Sequence, residues 1–140
     1  MAYEFPSEAW MEEYKDRLNE SEEYGEQGAG WGVGFDGDFI FHIVADDRLP
    51  EDRYFYIALE DGKCTAVKEV DDLDEVEHGF VMRGAYSDWQ KLNDGEMGAI
   101  DGMMSGVFDL EGDMQKVMQY SGAAVAMTET SASIDTEYAY

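Results

Sequence analysis

The sequence predicts an α+β domain in which helices pack on one face of a mostly antiparallel sheet. Apolar residues recur at helical spacing near the N-terminus and again in the last third, whereas the middle of the chain alternates with a period of two. Asp-Gly pairs separate the alternating segments, as hairpin turns do. Helix, antiparallel strands and then further helices is the order of an α+β fold. With 140 residues, the chain suits a single domain over residues 1–140.

The N-terminal segment has a clear helical pattern. Ser7 follows Pro6 and is a favourable N-cap, so a helix is predicted over residues 8–19. Its buried stripe repeats at helical spacing and comprises Trp10, Met11, Tyr14 and Leu18. Residues 20–27 form either a second short helix or a loop.

From residue 28 the pattern becomes that of strands. Residues 28–35 alternate glycine with larger residues, which predicts a strand that turns at Asp36-Gly37 into a partner over residues 39–45. This partner carries Phe39, Phe41 and Ile43 on one face and Ile40, His42 and Val44 on the other. The later predicted elements are a hairpin of residues 53–60 and 63–70, a strand over 79–84, a helix over 88–93 capped by Ser87, a helix over 96–105, a strand over 107–110 and a long helix over 113–128. The tail, residues 130–140, is expected to fray.

Charge is the most unusual property of the chain. Asp and Glu number 33 against 9 Lys and Arg, a formal net charge of −24. Self-repulsion on this scale destabilises a compact state, and salt relieves it because the Debye length falls from about 10 Å at 0.1 M to about 3 Å at 1 M. The acids are spread along the whole chain, which predicts a halophilic protein of archaeal type; the alternative is an acidic patch for a basic partner. Nucleic-acid binding is excluded, because it needs clustered Lys and Arg.

Other sequence features bear on location. No apolar run reaches the roughly 18 residues that cross a bilayer, so stable membrane insertion is not expected. The N-terminus lacks the positive start and apolar stretch of a secretion signal, which predicts a cytoplasmic protein. Cys64 is the single cysteine, so no disulfide framework is expected.

Few residues suggest catalysis or metal binding. The glycines of residues 30–34 lie in a predicted strand rather than ahead of a helix, so they do not fit a dinucleotide loop. His42 is the one plausible catalytic residue, yet no Ser, Cys or acid stands at a spacing that suggests a dyad. The acidic loop of residues 71–77, with His78, could hold a divalent cation through oxygen ligands, but it lacks the spacing of a calcium loop. No cofactor is predicted.

Methionine is concentrated in the last third of the chain. The six methionines of this part of the chain are Met97, Met103, Met104, Met114, Met118 and Met127. Flexible thioethers fill irregular gaps and tolerate ligands of varied shape. A methionine stripe on helices is therefore either plain core or one wall of a pocket for an unbranched or isoprenoid chain.

One stretch of the last third has a recognisable order. Trp89, Leu92 and Gly95 are followed by Met104-Ser105-Gly106, a short strand, and then Gly112-Asp113 ahead of a Met-rich helix. Residues 88–118 thereby resemble the signature of the sterol carrier protein (nonspecific lipid-transfer) domain family. The order of elements is similar over most of residues 5–127, although the specific part is 88–118. The chain departs from the family in its acid excess and in lacking a peroxisomal Ser-Lys-Leu ending.

The resemblance implies a twisted sheet of about five strands, with helices enclosing an apolar tunnel that binds a lipid without catalysis. A fatty acyl or isoprenoid chain, not necessarily a sterol, is the expected ligand. The expected wall residues are Phe41, Ile43, Phe55, Ile57, Phe80, Met82, Met97, Ile100, Met104, Met114, Val117 and Met118. Two alternatives stay open: a small isomerase- or hydrolase-like enzyme that uses His42 in an apolar pocket, and an interaction module that forms a homodimer through its sheet.

Overall fold

The computed structural model describes residues 2–140. Its elements in chain order are β1 (Tyr3–Phe5), α1 (Glu8–Glu20), α2 (Glu22–Gln27), β2 (Phe39–Val44), β3 (Arg53–Glu60), β4 (Lys63–Val70), β5 (Phe80–Ala85), α3 (Tyr86–Asn93), α4 (Ala99–Met104), β6 (Asp109–Glu111), α5 (Met114–Gln119), α6 (Ser121–Ser133) and β7 (Thr136–Tyr138). None of the helices within this described part is long and apolar enough to span a bilayer.

The main sheet has five strands in the order β4-β3-β2-β5-β6. Its neighbours are antiparallel except for β2 and β5, which run parallel with Phe39 opposite Phe80. The connection between these two parallel strands carries the β3–β4 hairpin, which adds its strands on the far side of β2. The α+β fold with a five-stranded, mostly antiparallel sheet is therefore confirmed.

The two faces of the sheet are covered differently. Phe39, Phe41 and Ile43 on β2 face the helices and belong to the main core. Ile40 faces the other way and is fully buried in a second, smaller apolar cluster. Leu73 and Val76, from the acidic loop, pack against that cluster. Two side chains of the chain's own acidic loop thus cover part of this face of the sheet.

The glycine-rich segment is a folded loop, so the prediction of a strand over residues 28–35 was wrong. Gly30, Gly32 and Gly34 have φ values of 91°, 79° and 83°, which a strand does not allow. The loop wraps around the buried Trp31, whose indole N–H donates to the Gly37 carbonyl at 2.9 Å. Close approach is also required, because a Cβ at Gly32 would lie 2.7 Å from a β3 carbonyl oxygen.

The C-terminal tail is ordered, contrary to the expectation that residues 130–140 fray. Helix α6 continues to Ser133, and β7 then pairs in parallel with β1, with Tyr3 opposite Thr136. Trp10 strengthens this closure, since its indole N–H donates to the Thr136 hydroxyl at 3.0 Å. The two ends of the chain are therefore tied together beside α1.

The long helix predicted over residues 113–128 is in fact two helices. Asp113 caps α5 by accepting from the Gln115 backbone N–H at 3.0 Å. Tyr120, with φ −110° and ψ 33°, then interrupts the helical path before α6. The predicted cap at Ser87 was also wrong, because α3 begins at Tyr86, two residues before the predicted start, and Ala85 occupies its N-cap position.

The side chain of Phe108 packs between the sheet and α4. Its ring lies between two glycines, and an added Cβ would approach it to 2.4 Å at Gly84 and to 2.6 Å at Gly102. Trp89 packs edge-on against the same ring and donates its N–H to the Gly84 carbonyl at 3.1 Å. These contacts explain why Trp89 and the glycines at positions 84 and 102 are needed in this region.

Candidate functional site

The interior contains an apolar cavity between the helix-facing side of the sheet and the helices α1, α3, α4 and α6. Its volume is about 60 Å³. The lining is almost entirely aliphatic and aromatic, and it consists of Phe5, Trp10, Met11, Tyr14, Phe39, Phe41, Met82, Trp89, Leu92, Asn93, Ala99, Met103, Val117, Ala124, Met127, Thr128 and Ser131. Strand β2 supplies the floor because Phe39 and Phe41 alternate onto the same face.

A second apolar cavity of about 40 Å³ adjoins the first. The two share four lining residues, namely Phe39, Val117, Ala124 and Met127. The second continues toward Trp31, Tyr24 and Tyr120 at the other end of α6. Together they mark one apolar path beneath α6, interrupted by flexible or small side chains.

The volume of this path is much smaller than that of a pocket that holds a ligand. Pockets for small ligands hold about 300–1,000 Å³. The larger cavity has 60 Å³, room for a few small groups but not for a long chain. A tunnel wide enough for a lipid is therefore not present in this conformation, and binding requires the walls to move apart.

The geometry indicates where the walls can separate. A surface groove between α4 and α6 shares Ala99, Ala124 and Thr128 with the larger cavity. These small side chains form the partition between the interior and the outside. Helix α4 is six residues long, and Gly102 is its one fully buried residue. Residues 98 and 106, the glycines on either side of α4, give its connections freedom to change direction.

The polar groups beside the cavity are nearly all engaged. Thr128 and Ser131 donate to carbonyls of their own helix, at 3.1 Å and 3.3 Å. Burial raises the pKa of Tyr14 well above its usual value, so its phenol is uncharged. Asn93 differs, because its side-chain nitrogen is buried and has no hydrogen-bond partner.

The structure distributes the predicted wall residues over three environments. Phe41, Met82 and Val117 line the larger cavity. Other predicted wall residues line neither cavity: Ile43, Phe55, Ile57 and Phe80 lie in the core, and Met97 is partly buried against it. The rest line surface grooves: Ile100 beside α6, and Met104, Met114 and Met118 beside β6. Met104 is 70% exposed and Met118 41% exposed.

Several lining residues escaped sequence reasoning. Trp10, Met11 and Tyr14 were recognised as a buried stripe, but their place against the cavity depends on how α1 docks. Met103 and Met127 belong to the methionine-rich third and line the cavity, although neither was among the expected wall residues. The polar Asn93 left no sequence signal at all.

His42 lies on the sheet face opposite the cavity. Its Nδ1 accepts from the Arg83 guanidinium at 2.9 Å, so its Nε2–H donates to Asp52 at 2.8 Å. The expectation that no acid partners His42 was therefore wrong, because Asp52 reaches it across the β2–β3 pair. Tyr54 stacks on the ring at 4.4 Å. The imidazole is not among the residues that line either cavity.

The remaining candidates for chemistry are engaged in structure. Burial raises the pKa of the Cys64 thiol to about 12, which leaves it protonated and unreactive. In the acidic loop, Glu75 accepts from the Asp71 backbone N–H at 3.0 Å, and Asp72 accepts from that of Asp74 at 2.9 Å. Across residues 2–140, no group of three or more His, Cys, Asp or Glu side chains is arranged to hold a metal ion.

Comparison with known proteins agrees with this architecture. A search of curated proteins finds no match. A crystal structure of sterol carrier protein 2 superposes with a TM-score of 0.80 at 25% identity, covering 91% of this chain and 97% of that one. A conserved hypothetical protein from Thermus thermophilus gives 0.81 at 25% identity, with coverages of 94% and 90%. Apo sterol carrier protein 2 from Yarrowia lipolytica shares the fold, with a TM-score of 0.54 at 15% identity over 87% of this chain and 88% of that one.

The family comparison covers the whole five-stranded sheet and the helices α3, α4 and α5. The model of the SCP-2 sterol transfer family matches residues 39–125, which also include the start of α6. This chain belongs to the SCP-2 sterol transfer family.

Proposed function

We propose that this protein binds and carries an apolar lipid chain beneath α6 and does not catalyse a reaction. The observation that carries the proposal is the pair of adjoining apolar cavities between the sheet and the helices, in a chain of the SCP-2 sterol transfer family. The similar crystal structure at 25% identity is named a sterol carrier protein. A fatty acyl or isoprenoid chain is as compatible with this lining as a sterol is, because the lining is apolar and carries no charged group.

Entry takes place through the partition between α4 and α6. Ala99 and Ala124 offer little side chain to displace, and Met103 and Met127 can change rotamer to follow the ligand. Burial of a methylene contributes about 0.8 kcal/mol, so ten methylenes supply about 8 kcal/mol toward opening the path. Displacement of α4 joins the interior to the groove outside, and no charged anchor is needed.

Two measurements test the proposal. Protein purified without detergent and then extracted with solvent should release a lipid seen by mass spectrometry. A fatty acid brominated in mid-chain should quench tryptophan fluorescence, because Trp10 and Trp89 both line the larger cavity. The unbrominated fatty acid is the control and should not quench. Absence of both a co-purified lipid and quenching would show that the interior does not hold a chain.

We also propose that the protein works in the salt-rich cytoplasm of a salt-accumulating cell. With 33 acids and 9 basic residues, most carboxylates have no cation to pair with. Repulsion is visible locally, since Glu129 raises the pKa of Glu23. By contrast, Glu12 lies 3.3 Å from Lys15.

The test compares these two sites. The thermal midpoint should rise between 0.1 M and 2 M KCl, and Glu23→Gln should reduce the dependence on salt. Glu12→Gln is the matched control, since it removes an acid that already has a partner, and it should not reduce that dependence. A midpoint that does not change with salt would remove the basis for this proposal.

A further inference from the structure

The side chain of Asn93 is an exception in the cavity wall. It stands at the C-terminal end of α3 and is 4% exposed. Its Nδ2 is buried without a hydrogen-bond partner, and it is the one such side-chain nitrogen or oxygen found within residues 2–140. A buried donor that is left unpaired destabilises the folded state, so its presence in an apolar wall calls for a reason.

The neighbouring side chains do not supply a partner. The indole N–H groups of Trp10 and Trp89 are donors that bond elsewhere, so they cannot accept from the amide nitrogen. The hydroxyls of Thr128 and Ser131 donate within α6, and neither oxygen accepts from the Asn93 nitrogen. Among the described cavity-lining side chains, the Asn93 amide is thus the one with a buried donor left free.

We infer that Asn93 is a specificity residue that pairs with an oxygen on the bound lipid. This inference rests on the proposed function and narrows it to chains that carry a hydroxyl, ether or carbonyl group within the apolar portion. A hydroxyl suits the site best, because it donates and accepts. It therefore pairs with the amide even when rotation of the amide by half a turn presents the carbonyl oxygen instead.

The expected discrimination follows from the cost of unpaired polar groups. A hydrocarbon that fills the cavity expels water and leaves the amide without a partner, whereas an alcohol of the same length satisfies it. Asn93→Leu keeps the branching and the number of heavy atoms of the side chain and reverses this preference, because the alcohol then buries an unpaired hydroxyl. The ratio of alcohol affinity to hydrocarbon affinity should therefore fall about tenfold in the variant.

The experiment uses decane and the five positional isomers of decanol, since the position of the oxygen along the chain has to be found. Affinities are measured by displacement of a fluorescent fatty acid from the wild-type protein, Asn93→Leu and Val117→Ala. At least one decanol should show the tenfold change of ratio in Asn93→Leu. Val117→Ala is the matched control, because it alters the same cavity without a polar group and should leave the ratio unchanged.

Three outcomes separate the hypotheses. If decane binds but no decanol shows an altered ratio in Asn93→Leu, the Asn93 inference fails and the lipid-binding proposal stands; a buried water on the amide gives this result. If neither decane nor any decanol binds the wild-type protein, the proposed function itself fails. If Asn93→Leu is markedly less heat-stable than the wild-type protein, the amide has a structural partner and the inference is overturned.

A measurement on the wild-type protein needs no variant. The side-chain amide resonances of Asn93 in a ¹⁵N-correlated spectrum should move when the preferred decanol is added and move differently with decane. Identical shifts with both probes would contradict a hydrogen bond between the amide and the ligand.

Discussion

The substitution Ala124→Leu tests whether the path beneath α6 is where the ligand lies. Ala124 lines both interior cavities and the groove between α4 and α6. A leucine there places about three more carbons in the path. Filling the 60 Å³ cavity at about 24 cal/mol per Å³ should stabilise the ligand-free protein by about 1.4 kcal/mol. Overpacking is avoided because Met103 and Met127 can adapt.

The three carbons that Ala124→Leu adds also occupy space that the lipid would otherwise fill. Loss of about three methylene positions at about 0.8 kcal/mol each weakens lipid binding by about 2.4 kcal/mol, or roughly fiftyfold. Urea unfolding measures the gain in stability, and displacement of a fluorescent fatty acid measures the loss of affinity. Ala132→Leu is the control, since Ala132 is exposed on the same helix and should change neither quantity.

The two effects of Ala124→Leu have opposite signs, which makes the test decisive. A variant that is more stable and binds less tightly places the ligand beneath α6. A stable variant that binds lipid as tightly as the wild-type protein would refute the reasoning, because the ligand would then occupy other space.

Three further predictions concern the frame of the site. Phe108→Ala should destabilise the protein by about 3–5 kcal/mol in urea unfolding, because the ring is 1% exposed and wedged between two glycines; a loss below about 1 kcal/mol contradicts this role. Gly84→Ala should cost about 1–3 kcal/mol through overpacking against that ring, and Phe108→Leu should recover part of the loss in its background. Hydrogen bonds from the Ala45 backbone N–H and then from His42 lower the pKa of Asp52 in the folded state. Its stabilisation is therefore present above the unfolded pKa of about 3.9 and is lost as pH falls through the folded value, so the stability gap between wild type and Asp52→Asn should close in acid.

The parts of the fold that sequence predicted correctly are set by local chemistry. The hairpin of β3 and β4 has the predicted bounds because Asp61-Gly62 adopts the positive φ values, 50° and 76°, that its turn requires. Helix α1 likewise begins after the predicted cap, with the Ser7 hydroxyl accepting from the Trp10 backbone N–H at 3.1 Å.

The failures lie where distant residues decide the structure. In residues 28–35, glycine alternates with larger residues, and this pattern suits a strand as well as a loop that wraps around Trp31. The pattern alone therefore does not distinguish the two structures. What selects the loop is contact with β3 and its turn, including the Gly30 N–H bond to Asp61 at 2.9 Å. Closure of β1 on β7 joins Tyr3 to Thr136, a pairing that no local pattern signals.

In the candidate site, the faces of strand residues follow from local alternation, whereas the faces of helix residues depend on where each helix begins and ends. Phe41 and Met82 face the cavity because period two on β2 and β5 assigns their faces directly. Met118 was predicted as a wall residue on one continuous helix over residues 113–128. The chain instead breaks at Tyr120 between α5 and α6. On α5 the buried residue is Val117 and Met118 is 41% exposed, whereas Met127 on α6 lines the cavity.

A nearly filled interior is what a reversible carrier of this size requires. An empty apolar pocket of about 300 Å³ would cost about 7 kcal/mol at about 24 cal/mol per Å³, which is comparable to the whole stability of a small domain. Closing the path to the 60 Å³ that remains avoids most of this cost in the ligand-free chain. Methionine and alanine suit a wall that opens and closes, because thioethers repack at little cost and small side chains let α4 separate from α6. The lipid then contributes the contacts that hold the path open, so the loaded form should differ from the structure described here chiefly at the seam between these two helices.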